Sequence, residues 1–574
     1  MTQTNFSRRS FLKGAGITAI GAAAMGALSG CGNGVQAANA ESASASFDVR
    51  TQGTTTPSWL GEAPDVAESD ITETLDYDVV VVGCRTGGLP AIISAAENGA
   101  RVLGVDQQPS VQAPREDIGA INSRLQQEGA AAHPDCAIDK DVALDDLMRY
   151  SNGVADRRLL NVWADESGAL VDWITDIITR NGHYKMNWEA GVGNTDLPER
   201  AWATSHSPEK LVDDKSITFG TELKEYAEEI GAEFRWNTSL IRCEQNEEGR
   251  VTGVICRDDN DKHYIRINAS HGVILSTGGY AANTEMLEAR QPWNQQIRIN
   301  IPMGGGNSGD GIRAAMWCGA HMDPVGTSVL FNRAAVKPSE TAGSDVKGSM
   351  FWFGEQPFLK VNLKGERFTN EALPYDYVLH AAMMQPGSTY VDIWDSNYFA
   401  DTKAFDEHGC CRLYPWDNGA PSNKDISEMP AALQKLEDNG YVQRADTIEE
   451  LAEKLDVPAD TLKATWENYN AYAKAGHDPE FNKEPQRLIA LDQPPYFGCR
   501  TGCWFLATID GVRIDTNMHP IDDNGDPIQG LYTVGNDSGG IFCFTYPSLF
   551  VGFACGRTMT FGRRAGRLAA TMEA

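Results

Sequence analysis

The sequence predicts an α/β fold: a Rossmann-type dinucleotide-binding domain, split by an inserted α+β domain. Three observations carry this. A run of valines enters a glycine-rich turn in VVVVGCRTGGLP (Val79 to Pro90), and a second apolar run, RVLGVD, ends at Asp106. Far along the chain, GLYTVGN ends another short strand at Gly535, and a glycine-containing helix follows. Between them, from about Pro324 to Cys499, tryptophan and tyrosine become common and loops lengthen.

The first turn sets the chemistry. A continuous β-branched run is the pattern of a parallel strand buried on both faces. Gly83 allows the tight turn after it, and the helix predicted from Leu89 to Asn98 offers free N–H groups to phosphate. In G-x-G-x-x-G, the second glycine admits the pyrophosphate and the third lets helix and strand pack closely. Asp106 ends the second strand, where a carboxylate can accept from a ribose hydroxyl. The middle glycine, however, is Arg85. Either its guanidinium contacts pyrophosphate, replacing backbone closeness with charge, or dinucleotide binding is weakened or lost.

A mostly helical region should follow to about Ile230, since LLNVWADESGALVDWITDII has helical apolar spacing. AEFRW, SLIRCEQ, RVTGVICRD and HYIRINAS read as a small β-meander. HGVILSTGGY (His271 to Tyr280) reads as a separate buried strand, and GDGIRAAMWCGA opens a helix. TIEELAEKL marks a helix inside the inserted domain. GVRIDTNMHPIDDNGDPIQGLYTVGN reads as strand, turn excursion and strand, and a last helix runs from Phe553 to Met572.

The chain has 574 residues, 41% hydrophobic and 22% charged, enough for two or three ordinary cores. Its net charge of -30 argues against nucleic acid, whose phosphates need a cationic surface. It suits an enzyme, or one that docks a basic partner. The N-terminus carries SRRSFLK (Ser7 to Lys13) and a weakly apolar stretch to Gly30, the pattern of a twin-arginine export signal. That route carries folded, often cofactor-loaded proteins, so a periplasmic or cell-envelope location is expected. Residues 1–40 then form the signal peptide and 41–70 a linker. LSGC resembles a lipoprotein box, with Cys31 lipidated and the membrane touched only through that anchor; Ala38-Asn39-Ala40 is the competing cleavage site.

Twelve cysteines include no C-x-x-C and no haem-attachment motif, so no metal site is expected. Cys410-Cys411 and Cys499-x-x-x-Cys503 are the close pairs. Buried thiols are the favoured reading; a cluster from scattered cysteines is the alternative.

Four further segments, STGGY, GDGI, GERFTNE and GLYTVGN followed by GG, stand in order after the first turn. Together they resemble the flavoprotein family of fumarate reductase, urocanate reductase and 3-ketosteroid dehydrogenase, over about Asp76 to Gly566. The resemblance implies an FAD-binding domain (71–324 and 500–574) split by a capping domain (325–499), with the active site between them. It implies FAD contacts at Gly83, Thr86, Gly87, Gly88, Asp106, Gln107, Gly119 and Ala120, with Arg85 a departure from the family pattern expected to contact the pyrophosphate by its charge. It extends them to Thr277, Gly278, Asp310, Gly535, Asn536, Phe550 and Gly552.

At the reacting end the chain departs from the dicarboxylate reductases. Their proton-donating arginine position is Tyr375, FLATIDGV lacks their histidine, and GGIFCFTYPSLFVG lacks their arginine. Two carboxylates without cationic partners would meet a heavy desolvation cost, so a small dicarboxylate is not the expected substrate. Tyr375 and the Tyr546-Pro547 pair instead resemble the ketosteroid dehydrogenases, where one tyrosine exchanges a proton with carbon and another holds the ketone oxygen. Ser548-Leu549-Phe550 replaces the Gly-Pro-Gly found in many of those enzymes, which points to a differently shaped pocket. The expectation is an exported FAD oxidoreductase that reduces a C=C bond conjugated to a carbonyl. Hydride would pass from flavin to the β-carbon, Tyr375 would protonate the α-carbon, and Tyr546 would hold the oxygen. Electrons would come from a separate cytochrome or a quinone-linked donor. The rivals are the reverse, desaturating reaction and a non-catalytic binding lipoprotein that lost FAD through Arg85.

Overall fold

The structure, a computed structural model, describes residues 57–112, 114–191, 200–300 and 306–573. The twin-arginine segment, Cys31 and Ala38-Asn39-Ala40 lie outside the described residues.

A seven-stranded sheet carries the first turn. Its strand Ile71–Val82 runs parallel to Val102–Val105 on one side and to Tyr264–Leu275 on the other. Glu233–Arg235 and Leu531–Thr533 add parallel strands outside these. The valine run is explained by its burial: Val79 and Val81 face one apolar cluster, and Val80 and Val82 face another. On one face the helices Gly88–Glu97 and Phe553–Thr571 pack against each other. A Cβ at Gly562 would stand 2.2 Å from the Gly87 carbonyl, so only glycine lets them approach this closely.

Several expectations need correction. HYIRINAS and HGVIL form one twelve-residue strand, Tyr264–Leu275, with a register shift near Gly272. Its first half closes the antiparallel meander with Thr238–Gln245 and Val251–Asp258, and its second half pairs with Leu531–Thr533. One strand therefore serves two neighbours. The region before Ile230 is not mostly helix throughout. The long helix Arg157–Thr179 is present, but Tyr184–Trp188 and Ser205–Lys210 join Ile118–Gly119 in a three-stranded sheet. GVRID makes only isolated bridges rather than a ladder. In the stretch read as linker, Trp59 and Leu60 are buried in the core, and Trp317 Nε1 donates to the Gly61 carbonyl.

An eight-stranded sheet occupies the middle of the chain. Its central strand, Tyr496–Thr508, pairs with Ser328–Val336, Tyr390–Asp395 and Val442–Ala445 in antiparallel fashion. It also pairs in parallel with Arg298–Asn300, so the sheet reaches past the 325–499 span on both sides. Behind it the helices Met429–Asp438, Ile448–Leu455 and Ala459–Ala475 cover a third apolar cluster. Among the described residues no helix is long and apolar enough to cross a membrane.

Candidate active site

A cavity of about 390 Å³ opens at the C-terminal ends of the parallel strands, where Val82, Val105, Ser276 and Gly535 line it. In a doubly wound sheet this crevice is the place where ligands bind. It runs on to residues of the second sheet, Val329, Phe331, Leu506 and Ala507.

The end beside the first turn is shaped by backbone. Gly83 sits at φ +95°, and a Cβ there would lie 2.2 Å from the Ser276 carbonyl. Gly88 stands behind the turn, where a Cβ would meet the Gly83 carbonyl at 1.7 Å; it packs helix on strand rather than lining the cavity. Asp106 accepts from the Cys84 N–H and the Gln108 N–H, both at 2.8 Å, and still lines the cavity. Each carboxylate oxygen keeps a lone pair for a ribose hydroxyl. Arg85 is exposed and lines the cavity, and its guanidinium makes no hydrogen bond or ion pair among the described residues. Behind the opposite wall, buried Asp537 accepts from the Gly279 N–H at 2.9 Å and also from the Thr277 N–H and hydroxyl. It ties the Thr277 turn to the Gly535 turn. Nothing in the sequence singled Asp537 out.

Of the other residues expected to touch cofactor, Thr86, Gly87, Gln107, Thr277, Gly278, Asp310, Gly535, Asn536 and Gly552 line the cavity. Gly119, Ala120 and Phe550 do not. The Gly119 N–H donates to the Gly552 carbonyl at 2.8 Å, a backbone crossing just behind the wall. The Ala120 N–H donates to Thr204, and Phe550 stacks on Trp202 with ring centroids 5.4 Å apart.

The far end is shaped by side chains. Tyr375 and Tyr546 both line it. Tyr375 opens the helix Tyr375–Met383 just after Pro374, and its ring tilts against Phe331 with centroids 4.5 Å apart. GERFTNE does not line the cavity; it is tied to Asp478, just past the helix Ala459–Ala475. Buried Arg367 grips Glu371 with bonds of 2.8 and 2.9 Å and Asp478 with bonds of 2.9 and 2.7 Å. The Tyr546 N–H donates to Asp376 Oδ2 at 3.3 Å, so the two tyrosine segments are joined. Burial pushes the Tyr375 phenol well above its usual range. Burial likewise raises Tyr546. Both phenols are therefore protonated donors at neutral pH.

Arg115, Asp117, Phe331, Cys410 and Cys555 also line the cavity, and no sequence signal pointed to them. Neither close cysteine pair forms a disulfide, and no group of three or more His, Cys, Asp or Glu able to hold a metal occurs among the described residues.

Comparison with known proteins places this geometry. Residues 78–548 match the family described as FAD binding domain. The vinyl phenol reductase of Lactiplantibacillus plantarum is 29% identical over 505 residues, covering 86% of this chain and 96% of that protein. The 3-oxosteroid 1-dehydrogenase of Mycobacterium tuberculosis is 30% identical over 336 residues, covering 55% of this chain and 56% of that protein. Among solved structures, an open flavocytochrome c3 fumarate reductase aligns over 88% of this chain and 79% of its own with a TM-score of 0.61 and 23% identity. The crevice, the glycine cradle that a Cβ would fill, and the free guanidinium of Arg85 all fit a dinucleotide. The chain belongs to the FAD-binding-domain family of the fumarate reductase and 3-oxosteroid dehydrogenase type, and it is an FAD-dependent oxidoreductase.

Proposed function

We propose that this flavin-dependent oxidoreductase reduces a C=C bond conjugated to a carbonyl or to a phenol ring. FAD supplies the two-electron redox chemistry when bound. The chain's own part falls to two tyrosines: for a conjugated carbonyl Tyr375 delivers a proton to the carbon next to it, for a vinyl phenol to the far carbon of the C=C bond, and in either case Tyr546 donates a hydrogen bond to the oxygen. The observation that carries this is the placement of both phenols on one cavity with the Gly83 turn. A phenol kept protonated by burial suits a carbon acid as proton donor, and a fixed O–H aimed at the oxygen stabilises charge that develops there. The wall of Val329, Phe331, Leu506 and Ile509 accepts a flat apolar body. The match across nearly the whole length of a vinyl phenol reductase supports the phenol as one such conjugated group. The shorter match to a 3-oxosteroid dehydrogenase supports the reverse reaction as a second reading.

The electron donor in this reading is a separate cytochrome or quinone-linked protein, met outside the cytoplasm after twin-arginine export. SRRSFLK supports the export, and a net charge of -30 suits a basic donor. Replacing Arg8 and Arg9 by lysine should trap precursor in the cytoplasm, which fractionation would detect.

The catalytic assignment is tested by rapid mixing of pre-reduced holoenzyme with a conjugated alkene. Tyr375→Phe should slow flavin reoxidation by roughly a hundredfold or more with binding little changed. Reoxidation at the wild-type rate would move the proton donor elsewhere.

A further inference from the structure

Two consecutive cysteines, Cys410 and Cys411, stand beside the reacting end of the cavity. They belong to a short 3-10 turn, Gly409–Cys411, and both are half-buried free thiols. Cys410 lines the cavity with Phe331, Tyr375 and Tyr546. The turn is held by its carbonyls: buried Arg333 donates to the Cys410 carbonyl at 3.0 Å, and Gln356 Nε2 donates to the Cys411 carbonyl at 2.6 Å. Arg333 also pairs with buried Glu355. Its guanidinium lies over two rings, 3.6 Å from the Trp352 centroid and 4.5 Å from that of Phe331. Phe331 in turn packs on Tyr375. A continuous chain of contacts therefore runs from the Cys410–Cys411 peptide to the tyrosine proposed as proton donor.

The two thiols are unequal. The adjacent Cys411 thiol and the positive charge of Arg333 hold the Cys410 thiol below its ordinary value, whereas contact with Cys410 and burial push Cys411 up. A lowered, accessible thiol is the attacking member of a redox pair, and its neighbour resolves the mixed disulfide. Covalent geometry holds adjacent Cα atoms about 3.8 Å apart, below the span of roughly 4.4 to 6.8 Å usual for a disulfide. A Cys410–Cys411 disulfide is therefore strained, and strain makes it readily reduced again. Closing the ring must also turn the peptide between the two residues, which carries the carbonyl that Arg333 holds.

We propose that Cys410 and Cys411 are a redox-modification site: an external disulfide of the glutathione type converts them to a reversible disulfide, and Arg333, released from the Cys410 carbonyl, passes the change to the Phe331–Tyr375 wall. The Cys410 thiolate attacks one sulfur of glutathione disulfide and expels a glutathione thiolate, which takes the Cys410 proton. Cys411 then attacks the Cys410 sulfur and expels the second glutathione, which takes the Cys411 proton. The cysteines lose two electrons and two protons, and one glutathione disulfide becomes two thiols. Export brings the pair into surroundings where disulfides persist. Only what the site controls, the alkene step, rests on the function proposed above.

The test separates the two. FAD-loaded protein is equilibrated in glutathione buffers from reducing to oxidising. Denaturation, alkylation and peptide mapping then locate every free and bridged cysteine. The peptide holding Cys410 and Cys411 should lose two hydrogens, take no alkyl group, and return to the dithiol with dithiothreitol. Cys411→Ser should keep the alkene step and retain one glutathione on Cys410. Tryptophan emission should change on oxidation, and Trp352→Phe should remove that change. After photoreduction of the flavin, its reoxidation by 4-vinylphenol or cinnamate should be roughly tenfold to a hundredfold slower in the disulfide form, with thiols counted in the same sample. A bridge from Cys410 to Cys555, the other thiol on the wall, overturns the proposal. So does a pair that stays reduced in oxidised glutathione, or a disulfide that leaves the emission, or a measurable alkene rate, unchanged. If neither form reduces an alkene while the mapped disulfide and the Trp352 emission change are present, the function is wrong and the redox site stands.

Discussion

At the dinucleotide end of the cavity, the wall is largely backbone, braced by two buried carboxylates. Gly83, Gly87, Gly278 and Gly535 bring bare chain to the surface, while Asp106 accepts from the Cys84 N–H in the first turn and Asp537 from the Gly279 N–H in the turn beside its own. At the reacting end, the wall is side chains brought from separate elements. Phe331 comes from the strand Ser328–Val336, Tyr375 from a helix start, Leu506 from the strand Tyr496–Thr508, and Tyr546 from the loop before the last helix. A backbone wall cannot be altered residue by residue without losing the turn. A side-chain wall can change one contact at a time. The cofactor end is thus the constrained half and the reacting end the adjustable half.

The sharpest break of this comparison lies in the turn itself. Gly83→Ala would force a Cβ to 2.2 Å from the Ser276 carbonyl at a left-handed φ, so the purified protein should lose its flavin colour or fail to fold. Arg85 is the exception within the turn, because it is a side chain free to reach into the cavity. Arg85→Gly restores the usual glycine yet should weaken FAD by about tenfold, since a charge-assisted contact to pyrophosphate is lost. Riboflavin, which has no pyrophosphate, should bind both proteins alike in a fluorescence titration of the apoprotein. Unchanged or tighter FAD binding by Arg85→Gly would show that backbone alone carries the phosphates.

The same contrast explains what could be read from the sequence. A turn such as VVVVGCRTGG declares itself because all its parts are adjacent in the chain, and the strand, the glycines and the following helix obey local rules. Tyr375 and Tyr546 were reachable only through a family likeness, since a tyrosine carries no local signature of being in a cavity. Arg115, Cys410 and Asp537 were not reachable at all. Their neighbours are hundreds of residues away, as with the Arg115 carbonyl and Cys555. The strand Tyr264–Leu275 was misread as two because the polar Ser270-His271 interrupts its apolar pattern where it passes from one neighbour to the next. The sheet formed with Ser205–Lys210 was missed because SHSPEK has a proline and no apolar alternation to mark it.

A smaller effect should distinguish the two ends through pH. Glu189 follows the strand Tyr184–Trp188, is buried, and donates its backbone N–H to the Ser205 carbonyl at 3.1 Å. Burial pushes its carboxyl up to about 8, and the charges of Asp117 and Cys410, both on the reacting end of the cavity, push the same way. In the unfolded chain the group returns to its ordinary value of 4.5. Between those values the folded protein holds a proton that the unfolded chain has released. Stability from this group is therefore complete below the lower value and is lost as pH rises towards the upper one. The slope cannot exceed about 1.4 kcal/mol per pH unit for one proton. At this chain length that is roughly 1–3 °C in Tm per unit. Glu189→Gln carries no titrating proton, so its melting curve should fall less steeply than the wild type's from about pH 6 to pH 8. Scanning calorimetry of the two holoproteins across that range measures the difference. Parallel curves would mean that Glu189 is already ionised at neutral pH.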